Sequence, residues 1–225
     1  MSFVVAIDGP SGSGKGTVTK LVGEKLKLIN IDTGATFRCV ALDMLNKNIE
    51  LSEEDKIIEL LNNIKIELIK ENGEQKVFLN GEDVTLEIRT KRVTDFVSPV
   101  SRLPIVRQNL LNLQRKMAEG KDVIMEGRDI GTTVFPNANV KIYLDASAEE
   151  RARRRTKQNE ENNLPSDYEE ILKSIKSRDE QDRTREISPL KQAEDAVYID
   201  SSDMTIEEVV NKIIEIIEKI DNKIK

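Results

Sequence analysis

The chain has 225 residues, enough to bury about 70 to 75% of its extended-chain surface, so one domain with insertions is expected. Its net charge of −6 offers no global attraction to nucleic acid or an anionic membrane, so any anion site must be local, as the cluster Arg151, Arg153, Arg154 and Arg155 illustrates. Histidine is absent, which removes His-containing triads, His-ligated metals and the usual general base, and the single Cys39 excludes an internal disulfide framework.

Phe3 to Ile7 form a short apolar run, followed by Gly9-Pro10-Ser11-Gly12-Ser13-Gly14-Lys15-Gly16-Thr17. Val18, Leu21, Val22 and Leu26 then recur at helical spacing. Strand, glycine loop and helix are the context of a phosphate-binding P-loop, in which backbone N–H groups turn toward a polyphosphate at the positive end of a helix. Lys15 adds a full positive charge for the outer phosphates. Gly16 stands where Ser or Thr usually follows the lysine, so the hydroxyl of Thr17 is the candidate magnesium ligand. A Gly-x-Gly-x-x-Gly dinucleotide motif fails because position 17 is Thr.

Leu28 to Ile31 read as a second strand ending at Asp32-Thr33-Gly34, with Thr33 expected to cap the next helix. Phe37, Val40, Ala41 and Leu45 give that helix its apolar face, and Arg38 beside its N-terminus makes a second phosphate site plausible. Ser52 with Asp55 predicts the start of another helix. Around Asn72-Gly73 the pattern becomes a hairpin, with a second tight turn at Asn80-Gly81, so a small β unit interrupts the strand–helix alternation. Two helices follow, the second from about Pro104 to Met117 with Arg107 in its first turn and Gly120 as its stop.

Asp122 to Met125 predict a strand ending in Glu126-Gly127-Arg128-Asp129, a loop expected to face the P-loop because ligands bind at the carboxyl ends of strands in an open parallel sheet. Glu126 is then placed to act on magnesium through water, and Arg128 and Asp129 to face an acceptor. Val140 to Leu144 form another strand, and Ser147 caps a helix on which Arg151, Arg154 and Arg155 share a face. The polar segment Gln158 to Pro165 breaks it. A further helix from about Asp167 carries Arg178, Asp182 and Arg185 on one side, and the two arginine-lined helices read as a lid over phosphates. A solvated charged face is the ordinary alternative. Ala196 to Ile199 make the last strand, and a Thr205–Glu208 capping box opens a closing helix striped with Ile206, Val209, Val210, Ile213, Ile214 and Ile217. The N-terminus lacks a secretion-signal pattern and no apolar run has membrane-spanning length, so a cytoplasmic protein is expected.

Taken together, Ile7 to Thr17, Asp32 to Arg38, Gly81 to Val84 with Glu87 to Thr90, Glu126 to Thr132 and Ser177 to Arg185 resemble the bacterial cytidylate kinases over nearly the whole chain. The resemblance implies an α/β P-loop kinase: a central parallel sheet flanked by helices, a small β-containing nucleotide-binding insertion and a helical lid. It implies a single domain with core 1–32, 98–148 and 188–225, a monophosphate-binding insertion at about 33–97 and a lid at about 149–187. By the same resemblance Thr33, Arg38, Arg128 and Arg185 hold the acceptor phosphate, Ser98, Arg107 and Asp129 contact cytosine, Arg178 and Asp182 the ribose, and Arg154 reaches toward the donor nucleotide. Lys15, Arg128, Arg154 and Arg185 are the expected catalytic set, and Gly9 to Thr17 with Arg154 the ATP site. Thr33, Phe37 and Glu126 stand where that family commonly has Ser, Tyr and Asp.

The implied reaction moves the γ-phosphoryl group of ATP, with Mg2+, to CMP or dCMP. No base is needed because the acceptor is already an anion, and catalysis reduces to positioning and charge neutralisation. The implied partners are these nucleotides alone, with no nucleic acid or membrane, and a monomer is expected. A kinase for another monophosphate or small acceptor is the nearest alternative. A P-loop switch or nucleic-acid module is more distant, since guanine-reading Asn-Lys-x-Asp is absent and the charge is negative.

Overall fold

A computed structural model describes residues 2–71, 74–161 and 164–220. The expected Asn72-Gly73 turn and positions 162 and 163 of the polar segment lie outside the described residues. In chain order the elements are β1 (Val4–Asp8), α1 (Lys15–Leu26), β2 (Ile29–Asp32), α2 (Thr33–Asn46), α3 (Glu54–Asn63), β3 (Ile66–Glu71), β4 (Glu74–Leu79) and β5 (Glu82–Asp83). After these come α4 (Lys91–Val100), α5 (Pro104–Ala118), β6 (Val123–Gly127), β7 (Val140–Asp145), α6 (Ala148–Glu161), α7 (Tyr168–Thr184), β8 (Val197–Asp200) and α8 (Ile206–Ile220). The chain divides into two compact units, one of Met1–Ile31 with Ala118–Lys225 and one of Asp32–Met117.

The first unit is built on a five-stranded sheet in the order β2-β6-β1-β7-β8. β1 runs parallel to both β6 and β7, and β7 runs parallel to β8. Every residue of β1 is buried, the signature of a strand covered on both faces, and this is why Val4 to Ile7 are continuously apolar rather than alternating. Val5, Ile7, Val22, Ile124, Ile142, Leu144 and Ile199 meet Val209, Ile213 and Ile217 of α8 in one core. Fully burying each such side chain contributes about 1.5–3 kcal/mol. The expected capping box is present: the Thr205 N–H donates to Glu208 Oε2 at 2.8 Å and the Glu208 N–H to Thr205 Oγ1 at 3.2 Å. Ser147 likewise caps α6 by accepting from the Glu150 N–H at 3.1 Å. Among the described residues no helix is long and apolar enough to cross a membrane.

The second unit packs α2 to α5 and the antiparallel sheet β3-β4-β5 around Cys39, Leu42, Met44, Ile57, Ile88, Val93 and Leu110. Asn80 and Gly81 take φ of 53° and 91°, the two left-handed residues of a tight hairpin turn. Burial pushes the Cys39 thiol up to about 12, with Asp32 and Asp43 adding to the effect, so the residue is a small hydrophobe. Two helix starts differ from expectation. Asp32, not Thr33, caps α2: its side chain accepts from the Ala35 N–H at 3.2 Å, while Thr33 is already helical and its carbonyl accepts from the Thr36 hydroxyl at 2.7 Å. α3 begins at Glu54 without a side-chain cap instead of at Ser52, because the Glu53 carboxylate turns back to the Glu50 N–H at 2.9 Å and to Lys56.

Candidate active site

The strand register sets the site. Asp8, the last residue of β1, sits opposite Gly127 of β6 and Tyr143 of β7, so the glycine loop and the Arg128-Asp129 turn leave the sheet side by side. Gly9 begins the loop at a point where a Cβ would collide with the Leu144 carbonyl oxygen. Gly14, at the N-terminus of α1, has φ 89°, a conformation that costs an L side chain even in open space. The nest therefore depends on backbone that only glycine supplies cheaply.

Lys15 is 5% exposed, and its Nζ donates to the Pro10 carbonyl at 2.7 Å and to Ser13 Oγ at 3.2 Å, folded over its own loop. Its pKa falls to about 7, first through burial and then through the Arg128 charge, while Glu126, Asp8 and Asp182 pull it the other way. An ammonium so placed gains strongly when a polyanion arrives. The exposed Thr17 lies in the first turn of α1, and Glu126 Oε1 lies 3.3 Å from where a Cβ on Gly16 would sit. A hydroxyl and a carboxylate beside one helix turn are oxygens of the kind a hard divalent cation takes when phosphates complete its shell. The carboxylate also explains why glycine is tolerated at position 16, where a side chain would crowd it.

Next to the nest is a charge cluster assembled from two segments. Arg128 Nε donates to Asp182 Oδ2 at 2.9 Å, and Arg185 approaches Asp182 Oδ1 at 3.7 Å and Asp129 Oδ1 at 3.4 Å. Burial alone would raise the Asp182 carboxyl, but Arg128, Arg178 and Arg185 outweigh it and hold it below the usual carboxylate range. Asp182 sits in α7, whereas Arg185 follows the helix end and is oriented by donating from Nε to the Ser188 carbonyl at 2.6 Å. Three guanidinium groups against two carboxylates leave an excess of positive charge, which suits an anion.

Arg154 stands apart from this cluster. It is held by Glu150 at 3.0 Å and by the Ser201 carbonyl at 2.5 Å. The single charged face expected for α6 is divided: Arg155 bonds Gln158 on the surface, while Arg151 is buried and paired twice with Asp179, at 3.1 and 2.6 Å. Arg151 also donates to the Ser11 carbonyl at 3.0 Å and to the Ala146 carbonyl at 2.8 Å. A buried guanidinium thus ties α7 to the glycine loop, instead of sharing one face with Arg154 and Arg155 as its spacing predicts. An open cleft of about 340 Å³ at the carboxyl ends of β7 and β8 is lined by Asp145, Arg151, Asp179, Arg183, Tyr198 and Asp200. Neither Lys15 nor Arg128 lines it.

Within the second unit, Thr33 is buried at the start of α2, and Gln114 of α5 donates to the Thr36 hydroxyl at 3.1 Å. Arg38 donates to the Ile88 carbonyl at 3.3 Å and to Thr94 Oγ1 at 3.0 Å. Arg107, 7% exposed, lies 5.3 Å from the centre of the Phe37 ring and donates to the Ser101 carbonyl at 3.0 Å. Ser98 sits in α4, its carbonyl accepting from the Ser101 hydroxyl at 2.8 Å.

Comparison with known proteins gives this arrangement a family: the cytidylate kinase model matches residues 5–219. The chain belongs to the cytidylate kinase family. It is 49% identical to the cytidylate kinase of Caldicellulosiruptor saccharolyticus over 216 residues, covering 96% of each chain. The cytidylate kinase of Fusobacterium nucleatum is 48% identical over 97% of this chain and 99% of its own, and that of Bacillus subtilis 46% over 96% of both. A gluconokinase structure from Sinorhizobium meliloti aligns with a TM-score of 0.51 at 12% identity, over 98% of this chain and 94% of that one, a likeness of fold alone. The α/β kinase fold expected from the resemblance is thereby borne out.

Two residues of this family member carry little or no sequence signal, Asp8 and Asp179, whereas Arg151 is visible in the sequence and only its buried partner is not. Asp8 carries a faint signal, an acid at the end of a fully apolar strand directly before the glycine loop. Asp179 carries none, since its partner is 28 positions away.

Proposed function

We propose that this chain catalyses transfer of the γ-phosphoryl group of ATP to CMP or dCMP, yielding ADP and CDP or dCDP, as its place among the cytidylate kinases supports. The observation that carries the reading is the buried Lys15 ammonium folded over its own glycine loop, which burial first and the Arg128 charge second bring down to about 7. A bound polyphosphate would pair with that buried ammonium. In this reading Gly9, Pro10, Ser11, Gly12, Ser13, Gly14, Lys15, Gly16 and Thr17 cradle the donor phosphates, with Arg154 also serving the donor. Thr17 and Glu126 are the proposed protein oxygens for Mg2+, Glu126 through water; when bound, the ion neutralises charge on the transferring group.

Arg128 and Arg185, held by Asp182 and Asp129, are the proposed guanidinium groups for the acceptor phosphate and the transferring group, with Thr33 and Arg38 of the second unit assigned to the same phosphate. Arg178 and Asp182 are assigned to the ribose, and Ser98, Arg107 and Asp129 to cytosine. A carboxylate at Asp129 accepts from the amino group of cytosine and faces an acceptor in uracil, which is the chemical basis of selection. A monomer acting in the cytoplasm in pyrimidine nucleotide metabolism completes the proposal; a single cysteine, the buried Cys39, fits a reducing compartment.

The test is ADP release measured across CMP, dCMP, UMP and AMP for the wild type and for Asp129→Ala. CMP and dCMP are expected to be preferred, and the substitution should reduce cytidylate turnover by about 10² while ATP affinity changes little. Equal losses toward both nucleotides, or faster turnover of AMP, would count against the assignment.

A further inference from the structure

Asp8 is 5% exposed and has no direct place in the phosphate nest, yet it makes two of the shortest long-range hydrogen bonds at the site. Its Oδ1 accepts from the Ile130 N–H at 2.8 Å and its Oδ2 from the Gly131 N–H at 2.7 Å. These two N–H groups open a π-helical turn over Ile130–Val134, and the first donors of any such turn have no acceptor within it. Asp129, the residue at the cap position, does not cap the turn with its side chain; the cap comes from the end of β1, 122 positions away from Ile130. The backbone carbonyl of Asp129 meanwhile accepts from the Thr133 and Val134 N–H groups at 2.9 and 3.1 Å. The turn is thus held from both ends while the Asp129 carboxylate is directed toward Arg185. A Cβ on Gly131 would lie 3.4 Å from Asp8 Oδ2 and 3.2 Å from the Lys141 side chain, so little space remains for another arrangement.

We propose that Asp8 is a positioning residue for base selection: its carboxylate, clamped on the Ile130 and Gly131 amides, fixes the direction in which Asp129 presents its own. This rests on the reading of Asp129 as the cytosine contact. Burying a carboxylate beside Asp129 is costly, and burial accordingly raises Asp8 to about 6, against the pull of the two amides. A carboxylate retained at such a place has a role that a neutral side chain does not fill.

The experiment compares kcat/KM for CMP and for UMP in the wild type, Asp8→Asn and Asp129→Asn, together with the KM for ATP. A carboxamide offers one acceptor and one donor, so it opposes one of the two amides and the turn rotates. Asp8→Asn is expected to lower the CMP-to-UMP ratio by about tenfold, with the ATP KM changed by less than about twofold. A purely structural role would lower both substrates equally. A ratio that collapses in Asp129→Asn but not in Asp8→Asn overturns this inference and leaves the cytosine reading intact; a ratio unchanged in Asp129→Asn overturns both. Should Asp8→Asn not fold, Asp8→Glu carries the test, since it keeps the carboxylate and displaces it by one methylene from the two amides. A fall of a few-fold in the ratio is expected there, and an unchanged ratio overturns the proposal.

Discussion

The glycine nest and the arginine cluster, the two proposed anion sites, are made from different materials. The nest is backbone: closely spaced glycines at Gly9, Gly12 and Gly14 set its shape, and one lysine supplies the charge. The cluster is side chain: Arg128 comes from the turn after β6, Asp182 from α7 and Arg185 from beyond that helix, and each guanidinium is oriented by a carboxylate or carbonyl rather than by its own backbone. The nest takes its shape from neighbouring backbone, with Arg151 as a brace at the Ser11 carbonyl. In the cluster each member is held by another.

That contrast predicts its own sharpest failure. Arg128→Ala removes one of the groups proposed for the acceptor and strips Asp182 of its nearest partner, so cytidylate turnover should fall by about 10³ while ATP affinity, a property of the nest, holds. Single-turnover kinetics with separate ATP binding would show it, and a parallel loss in ATP binding would mean the two sites are one. Arg151→Ala should act on the nest through its brace. Leaving Asp179 as an uncompensated buried charge costs about 3–5 kcal/mol of stability by urea unfolding, and it frees the Ser11 carbonyl. No change in the unfolding midpoint would mean that α7 does not depend on this pair.

A smaller effect concerns pH. Asp8 has a folded-state pKa of about 6 against an ordinary 3.8, so the folded protein binds its proton more readily than the unfolded chain. Its contribution to stability is therefore most favourable below about pH 4 and declines as pH rises through 6, by on the order of 3 kcal/mol. The groups that face it, Asp129 and Lys15 together with the Ile130 and Gly131 amides, remain in Asp8→Asn. Stability curves of wild type and Asp8→Asn between pH 4 and 7.5 should therefore differ in slope, and parallel curves would refute the shift. Smallest of all, Thr205→Ala opens the capping box of α8 at a cost of about 1 kcal/mol with unchanged turnover, a check that ordinary helix ends do not report on either site.

The nest was readable because its information is consecutive: strand, glycine spacing, Lys15 and helix follow one another in eleven or so positions, and backbone conformation responds to neighbours in sequence. The helix stripe of α8 and its Thr205–Glu208 box were readable for the same reason. The start of α2 was misplaced by one residue because Asp32 and Thr33 are both competent caps, and only the backbone at Asp32, extended at φ −82° and ψ 98°, decides between them. The face shared by Arg151, Arg154 and Arg155 was a correct statement about helix geometry, yet it could not say which face meets α7.

The amino-acid sequence alone determined the family, the alternation of strands and helices, and the presence of a glycine nest with an ammonium at Lys15, since each of these is written in neighbouring residues or in a period. Tertiary structure decided what the charged residues do. Arg151 became a buried brace, Arg154 a ligand of the Ser201 carbonyl, and Asp8 a cap for a turn that begins more than a hundred positions later. Charge acts through space at a range of a few ångströms, and only the packed sheet brings such distant segments that close.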